Sequence, residues 1–516
     1  MVGDGLRGGP IVDWIRSHAS GQAHLRIDSR EIQPGDVFLA LPGRRDDGRR
    51  HVDDAVARGA AAVLAERQGP DAPACAVPLL PVDDLAGQLA DIGAAFYRDP
   101  TARLLTIGVT GTNGKTSCSH WIAQVLTACG RRCGVIGTVG SGFPDALQTD
   151  AILTTPDAVG LQRLARAMLD AGAQALAMEV SSIGLDQRRT EAMRFDLALF
   201  TNLTRDHLDY HASMADYEDA KARLFDAPTL AGVVLNLDDE FGERLVQRCR
   251  ARGLHTTGYR IGPAAAPSPS LDLELGAEAL VLDADHIRFD ARLQRPGAPA
   301  RSVPVRAPVI GRFNVANVLG VMGIALAAGI DVHDATRAFE RLRPPPGRMQ
   351  PIQVAAGAEP LVLIDYAHTP DAIEQALAAL RPVAQARLGR LRIVFGAGGD
   401  RDPGKRPQMG AAAARGADRI VVTSDNPRGE DPARIIDQIV AGAAEAGERA
   451  SWTADRADAI ERAVLQADAA DVVLIAGKGH ESYQEVAGRR IAFSDAQCAR
   501  QALQRRAGRA PPEATA

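Results

Sequence analysis

The sequence predicts an α/β chain of three domains. A smaller N-terminal α/β domain is expected over residues 1–101, and a central P-loop domain built on a doubly wound, mainly parallel sheet over 102–342. A C-terminal Rossmann-like α/β domain is expected over 343–516. Three observations predict this. Short apolar runs alternate with helix-like stretches along the chain, the pattern of strands joined by crossover helices. One such run leads straight into a glycine-rich loop and then a helical pattern. Finally, Arg343-Pro344-Pro345-Pro346-Gly347-Arg348 ends a helix and stiffens a boundary before a further block of strands.

In the first block the strand candidates are residues 37–41 and 61–64. The second block begins with 104–109 and continues through 175–178, 197–200 and 232–235. Residues 262–308 are richer in Pro and Ala, and 279–282 and 286–289 alternate; antiparallel hairpins appended to the central domain are expected there. The third block carries 361–364, 391–395, 419–422 and 472–475. The tail 510–516 is expected to be disordered.

A chain of 516 residues exceeds one hydrophobic core, and 46% hydrophobic with 24% charged residues fits a soluble globular protein. A net charge of −5 does not suggest nucleic acid or an anionic membrane as a partner. The first residues lack a basic segment followed by an apolar run, and no stretch is long and apolar enough to insert into a bilayer. The six cysteines are scattered and lack zinc-site spacing, so reduced, structural cysteines in a cytoplasmic protein are expected; the chain is also expected to be a monomer. Of 59 basic residues only four are lysine: Lys115, Lys221, Lys405 and Lys478. A lysine among so many arginines suits chemistry that guanidinium cannot supply, since an ammonium is a compact point charge that can lose its proton. All four fall inside the motifs below; the bland alternative is four leftover surface residues.

The loop is Gly111-Thr112-Asn113-Gly114-Lys115-Thr116-Ser117. Glycines let backbone N–H groups turn onto phosphate oxygens, and the helix N-terminus adds partial positive charge. Lys115 would reach the β- and γ-phosphates and the Thr116 hydroxyl would ligate Mg²⁺. The longer P-loop pattern misses one position, because Val109 stands where its first glycine would be. A glycine-rich turn without nucleotide is the competing reading; the strand, loop, Lys-Thr pair and helix together favour ATP. Alone, the loop does not separate kinase, GTPase and ligase. Glu179, after a strand in Glu179-Val180-Ser181-Ser182, is an acid at a strand's C-terminal end and a candidate Mg²⁺ ligand. His207 also follows a strand, in a polar run that favours a metal role over a structural one, and Lys221 lies fourteen positions on.

Together with Asn202-Leu203-Thr204-Arg205-Asp206-His207, Gly311-Arg312-Phe313-Asn314-Val315-Ala316-Asn317, Gly347-Arg348-Met349 and Asp365-Tyr366-Ala367-His368-Thr369-Pro370-Asp371, these motifs resemble the Mur ligases of peptidoglycan synthesis, in family order from about residue 27 to 485. The resemblance implies that ATP phosphorylates a substrate carboxylate and that an amino acid's amine attacks the acyl phosphate. It implies Thr116 and Glu179 on one Mg²⁺, His207 helping to hold a second, and a carbamylated Lys221 (N6-carboxylysine) as carboxylate-like ligand to that second metal. It implies Asn317, Arg348 and Asp365 as further ATP contacts. Relatives often carry a His where Ile183 stands.

The first domain resembles the uridine-nucleotide domain of the family branch that adds the third peptide residue, with Ile27, Ser29 and the Arg44-Arg45-Asp46 stretch facing the UDP-sugar. Thr154, Thr155, Ser181, Gln187 and Arg189 resemble its muramoyl-dipeptide site, so the acceptor implied is UDP-MurNAc-L-Ala-D-Glu. For Arg189 a solvated arginine is the competing reading. Asp425-Asn426-Pro427-Arg428 resembles the signature of members that add meso-2,6-diaminopimelate. Arg428 can bind that substrate's extra carboxylate bidentately and would repel the ammonium of lysine. Arg401, Gly477 and Glu481 match further diaminopimelate contacts, Glu481 pairing the distal ammonium; Lys405 and Lys478 receive no role. The alternatives are the lysine-adding branch, a folylpolyglutamate synthetase, a P-loop phosphotransferase and a non-catalytic UDP-sugar sensor.

Overall fold

In the computed structural model, residues 9–43, 46–67, 75–148, 153–262, 270–283, 285–352, 354 and 359–508 are described. They form two compact units: residues 1–110, 126–199 and 219–232 make the first, and 111–125, 200–218 and 233–516 the second. Among the described residues no helix is long and apolar enough to cross a membrane.

The first unit holds a four-stranded sheet of Leu25–Arg26, Val37–Ala40, Ala62–Glu66 and Leu79–Val82, paired in that order and all parallel. Its middle strands are buried on both faces, which is why they read as continuous apolar runs rather than alternating ones. The helices Gly9–His18 and Leu85–Phe96 cover one face through Val12, Ile15, Leu85 and Ile92. Elsewhere in this unit Leu105–Thr110 pairs in parallel with Ala175–Glu179, and that strand with Cys133–Gly137. The hairpin Gly140–Phe143 and Ala146–Gln148 continues antiparallel. These strands belong to a sheet of eleven.

In the second unit His255–Ile261 runs parallel to Leu273–Leu282, followed by antiparallel Ile287–Gln294 and Arg301–Ala307. The hairpins expected after residue 262 are therefore present, and the first of them lies beside an unexpected parallel strand. A bulge lies between Glu278 and Val281, with Ala279 at φ +50°, and the long strand alternates only after Ala277, because its first five residues are buried on both faces. A separate six-stranded sheet runs Gln350–Ile352, Leu361–Asp365, Val472–Ala476, Leu391–Phe395, Arg419–Val422, Ala450–Trp452, parallel throughout except for the first strand. Apolar clusters cover both its faces, around Leu377, Met409 and Ile436 on one and Ile460, Val464 and Leu503 on the other. Four adjacent strands thus end side by side. Their carboxyl ends release the loops that begin at Tyr366, Gly396, Thr423 and Gly477. That is the edge of an open parallel sheet where ligands gather.

Candidate active site

The loop 111–114 sits between the strand Leu105–Thr110 and the helix Lys115–Ala128. Gly114 has φ +86°, and a Cβ there would come within 2.6 Å of Asn317 Oδ1, so only glycine fits. The segment after Phe200 holds the loop's shape. Thr201 Oγ1 and Asn202 Nδ2 donate to the Asn113 carbonyl at 2.6 and 3.1 Å, and Asn113 N donates to Asn202 Oδ1 at 2.9 Å. The Thr112 hydroxyl accepts from Thr204 N at 2.9 Å and meets the Tyr217 hydroxyl at 3.1 Å. Lys115 Nζ folds back to donate to the Gly111 and Thr112 carbonyls at 2.9 and 2.8 Å, which keeps its charge over the loop. Ser117 is buried in the first turn of the helix.

Asn317 and Arg348 join the loop in the second unit. Asn317 Nδ2 donates to Asn314 Oδ1, and Asn317 Oδ1 lies 3.5 Å from Cys118 Sγ. Arg348 Nη2 donates to Thr116 Oγ1 at 3.1 Å while its guanidinium lies 4.3 Å from the centre of the Tyr366 ring. Asp365 accepts from Met349 N and Ala367 N, both at 2.8 Å, so it braces the backbone beside Arg348. Burial raises its pKa, against the pull of Arg348.

Glu179, in the first unit, is 1% exposed. It accepts from Thr138 N at 2.8 Å and from the Thr138 hydroxyl at 3.0 Å. The Thr138 hydroxyl, its proton given to Glu179, accepts from the Thr154 hydroxyl at 3.0 Å, Thr155 donates to the Glu179 carbonyl and accepts from Ser181 N, and Arg189 Nη1 donates to the Thr155 carbonyl at 2.6 Å. Gln187 Oε1 accepts from Arg189 Nε. The structure thus gathers Glu179, Thr154, Thr155, Ser181, Gln187 and Arg189 into one cluster. Lys221 is 1% exposed, an unusual setting for an ammonium. In the four-stranded sheet's domain, Ser29 donates to Asp54 at 2.8 Å, Ile27 packs on the apolar core, and Asp46 stands exposed against His51. Arg44 and Arg45 lie outside the described residues.

A cavity of about 310 Å³ opens in the second unit, lined by residues 205–209 and by the four strand-end loops. Arg401, Asp425, Asn426, Arg428, Gly477 and Glu481 all line it; Pro427 sits buried between Asn426 and Arg428. Asn426 Nδ2 donates to Glu481 Oε2 at 2.7 Å, and the fully buried Lys478 donates to Glu481 Oε2 at 2.8 Å and to Asn426 Oδ1 at 3.0 Å. Arg401 pairs with Asp209 at 3.0 Å. A Cβ on Gly477 (φ +110°) would come within 2.6 Å of Asp425 Oδ2.

The other wall is charged. Burial pushes the Asp206 carboxyl up, yet the charges of His207 and His368 outweigh it and hold it at about 2. His207, at φ +56°, places Nε2 3.6 Å from Asp206 Oδ2. Burial, then the charge of Lys405, pushes His368 below its usual value. His368 Nδ1 lies 2.8 Å from the Tyr366 carbonyl, which can only accept, so Nδ1 carries the proton and Nε2 is the basic nitrogen. Burial also lowers the Lys405 pKa, opposed by Asp206.

Residues 23–97 match the model of the Mur ligase family catalytic domain, 109–325 the Mur ligase middle domain, and 347–479 the Mur ligase glutamate ligase domain. A relative from Ralstonia nicotianae, named UDP-N-acetylmuramoyl-L-alanyl-D-glutamate--2,6-diaminopimelate ligase, is 49% identical over 500 residues, 96% of this chain and 95% of its own. The chain belongs to the Mur ligase family. A relative of the same name from a Janthinobacterium species is 48% identical, with 96% of this chain and 97% of its own covered. A solved structure bearing that ligase name is 34% identical, with a TM-score of 0.62 over 94% of this chain and 95% of that one.

Within this Mur ligase chain, sequence reasoning missed Thr138, Lys478's contacts and the Asp206–His368–Lys405 wall. Thr138 had no motif around it; its hydroxyl matters only because the fold brings it against Glu179. Asp206 and His368 did carry a signal, since each sits inside a quoted motif, and Lys405 is one of the four rare lysines, but spacing along the chain does not reveal that they share one cavity.

Proposed function

We infer that this protein is an ATP-dependent ligase that joins meso-2,6-diaminopimelate to the D-glutamate of UDP-MurNAc-L-Ala-D-Glu in peptidoglycan precursor synthesis. The observation that carries the reading is the cavity in which Arg428 and Glu481, an anion receptor and a cation receptor, line one site beside Asn426. Near full-length identity to ligases of that name supports it. Lysine would leave Arg428 without a carboxylate to bind.

A carboxylate resists amine attack until one oxygen becomes a leaving group. A D-glutamate carboxylate oxygen attacks the γ-phosphorus of ATP, and ADP leaves. The amine nitrogen of diaminopimelate then attacks the acyl carbon, loses its proton, and the tetrahedral intermediate expels phosphate. In this reading the backbone of Gly111 to Gly114, with Lys115, Ser117 and Asn317, holds the phosphates in line, and Arg348 and Asp365 complete ATP binding. The Glu179 cluster with Thr154, Thr155, Ser181, Gln187 and Arg189 receives the muramoyl dipeptide, while Ile27, Ser29, Arg44, Arg45 and Asp46 meet the uridine end. Arg401, Asp425, Asn426, Pro427, Arg428, Gly477 and Glu481 receive diaminopimelate.

The Thr116 hydroxyl and the Glu179 carboxylate, which accepts from Thr138, are hard oxygen donors of the kind Mg²⁺ takes. Lys221, as N6-carboxylysine, and His207 would hold a second ion. Mg²⁺ supplies neutralisation of charge building on the transferred phosphoryl group. We take the enzyme as a cytoplasmic monomer, with domain limits at 1–101, 102–342 and 343–516. The test is phosphate release from ATP with UDP-MurNAc-L-Ala-D-Glu and either diaminopimelate or lysine. Release only with diaminopimelate is expected; equal turnover with lysine defeats the specificity, and release without any amino acid defeats the ligase.

A further inference from the structure

A small two-stranded hairpin, Tyr483–Val486 paired with Arg489–Ala492, follows the Gly477 loop. None of the motifs above includes it. Its contacts fall on the loop Ser424–Arg428. Gln484 Nε2 donates twice, to Ser424 Oγ at 3.0 Å and to the Asp425 carbonyl at 2.7 Å. Glu485 N donates to Asn426 Oδ1 at 2.9 Å, the oxygen that also accepts from Lys478. Arg428 N donates to the Glu485 carbonyl at 3.0 Å, and Ala487 N donates to the Arg428 carbonyl at 2.7 Å, an isolated parallel bridge.

This bridge has a purpose that the backbone states. Arg428 sits at φ +50°, a left-handed conformation that an arginine avoids without support. The pair of backbone bonds to the hairpin supplies that support and fixes where the side chain leaves the chain. The Glu485 carboxylate then lies 3.8 Å from Arg428 Nε, and Arg428 Nη1 donates to the Gly399 carbonyl at 2.8 Å. These contacts fall on Nε and Nη1, and Nη2 bonds no described residue, which leaves it for an incoming carboxylate. On the other side, Asn426 and Lys478 fix Glu481, and Lys478 Nζ lies 5.6 Å from the centre of the hairpin's Tyr483 ring.

We propose that the hairpin Tyr483–Ala492 is the positioning element of amino-acid selection, and that Gln484 and Glu485 act through it on Arg428 and Asn426. The proposal rests on the diaminopimelate reading above. The hairpin sets the separation between Arg428 and Glu481, and that separation measures the distal amino-acid head. Neither Gln484 nor Glu485 need touch substrate.

The experiment is steady-state kinetics on full-length Gln484→Ala, Gln484→Glu and Glu485→Gln, with ATP, UDP-MurNAc-L-Ala-D-Glu and diaminopimelate each varied, and lysine as the alternative amine. Losing the two bonds from Gln484 raises the KM for diaminopimelate about tenfold while kcat at saturation stays within about twofold. Gln484→Glu keeps the length but sets a carboxylate against the Asp425 carbonyl, so it raises that KM further. Glu485→Gln keeps the backbone bridge and removes the charge beside Arg428, so it raises the KM less than Gln484→Ala does. The KM values for ATP and the UDP-dipeptide stay at the wild-type level. An unchanged diaminopimelate KM in Gln484→Ala overturns the proposal, and so does a parallel rise in the KM for ATP, the mark of a general folding defect. If the wild-type enzyme itself uses lysine as well as diaminopimelate, the functional reading has failed instead, and the two failures are told apart by that control.

Discussion

Replacing Arg428 by alanine tests the specificity argument most directly. Its side chain is 25% exposed, so a substrate carboxylate bound there is partly screened by water. Nη1 already donates to Gly399 and Nε faces Glu485, which leaves a single strong charge-assisted contact through Nη2 with partial help from Nη1. Such a contact is worth about 1.5–3 kcal/mol, or roughly 10- to 150-fold. The alanine variant is therefore expected to lose that factor in kcat/KM for diaminopimelate and to keep its KM for ATP, because Arg428 bonds to no residue of the phosphate loop. Use of lysine, weak in the parent, rises relative to diaminopimelate once the repelling guanidinium is gone. The assay is phosphate release at fixed ATP with the two amines compared side by side. A variant that loses diaminopimelate and lysine use by equal factors would show that Arg428 supports the loop rather than reading the carboxylate. One with unchanged kcat/KM would refute its role altogether.

The buried pair Arg456–Asp495, both 0% exposed, makes two 2.7 Å bonds, and Arg456 also donates to the Ser424 and Ala476 carbonyls just before Asp425 and Gly477. Arg456→Met strands a buried carboxylate and is expected to cost about 3–5 kcal/mol in urea unfolding, most of it returned by adding Asp495→Leu; a double variant no better than the single refutes this. Gly114→Ala puts a methyl against Asn317 Oδ1 at a positive φ, so the KM for ATP should rise at least about tenfold while the fold survives, as read by circular dichroism and kinetics. His120, buried in the helix behind the loop, has its pKa lowered from 6.5 to about 4 by burial and then by Arg348, and no described group bonds its Nε2. The unfolded chain takes up that proton first, so stability is complete above about pH 6.5 and falls as pH drops to about 4, by about 3 kcal/mol in total. His120→Leu should flatten that slope in thermal unfolding between the two pH values; an unaltered slope would show that another group governs it.

The parts of this protein that could be read from the sequence are those whose physics is local. Strand cores such as those at 105–110, 391–395 and 472–476 are mostly apolar runs buried on both faces of a sheet, and burial on both faces is what a continuous run records. Strands with weaker runs stayed hidden: Leu79–Val82 carries Pro81, Gly140–Phe143 alternates two glycines, and the hairpin around Gly488 has a half-buried first strand and an exposed second one. The same division holds for the site. The loop at Gly111 declares itself because a phosphate cradle needs glycine and lysine at adjacent positions. Thr138 and Gln484 act on residues 41 and 60 positions away, and no spacing encodes that.

The four lysines sharpen the point. In an arginine-rich chain each is a candidate for what guanidinium cannot do. The structure supplies a physical reason for two of them beyond any motif. Lys478 is wholly enclosed, and its ammonium meets Asn426 Oδ1 and Glu481 Oε2 at 3.0 and 2.8 Å. A planar guanidinium carries five donors and would need more acceptors, and more room, than a site with no exposed surface provides. Lys405 lines the cavity beside Asp206 and Arg401, where burial already lowers its pKa, so it can give up a proton that an arginine there would keep. The first is a lysine because its site is too small for arginine; the second is one whose burial weakens its hold on a proton that an arginine would keep. Rarity in the sequence pointed to both, and only the fold distinguishes the reasons.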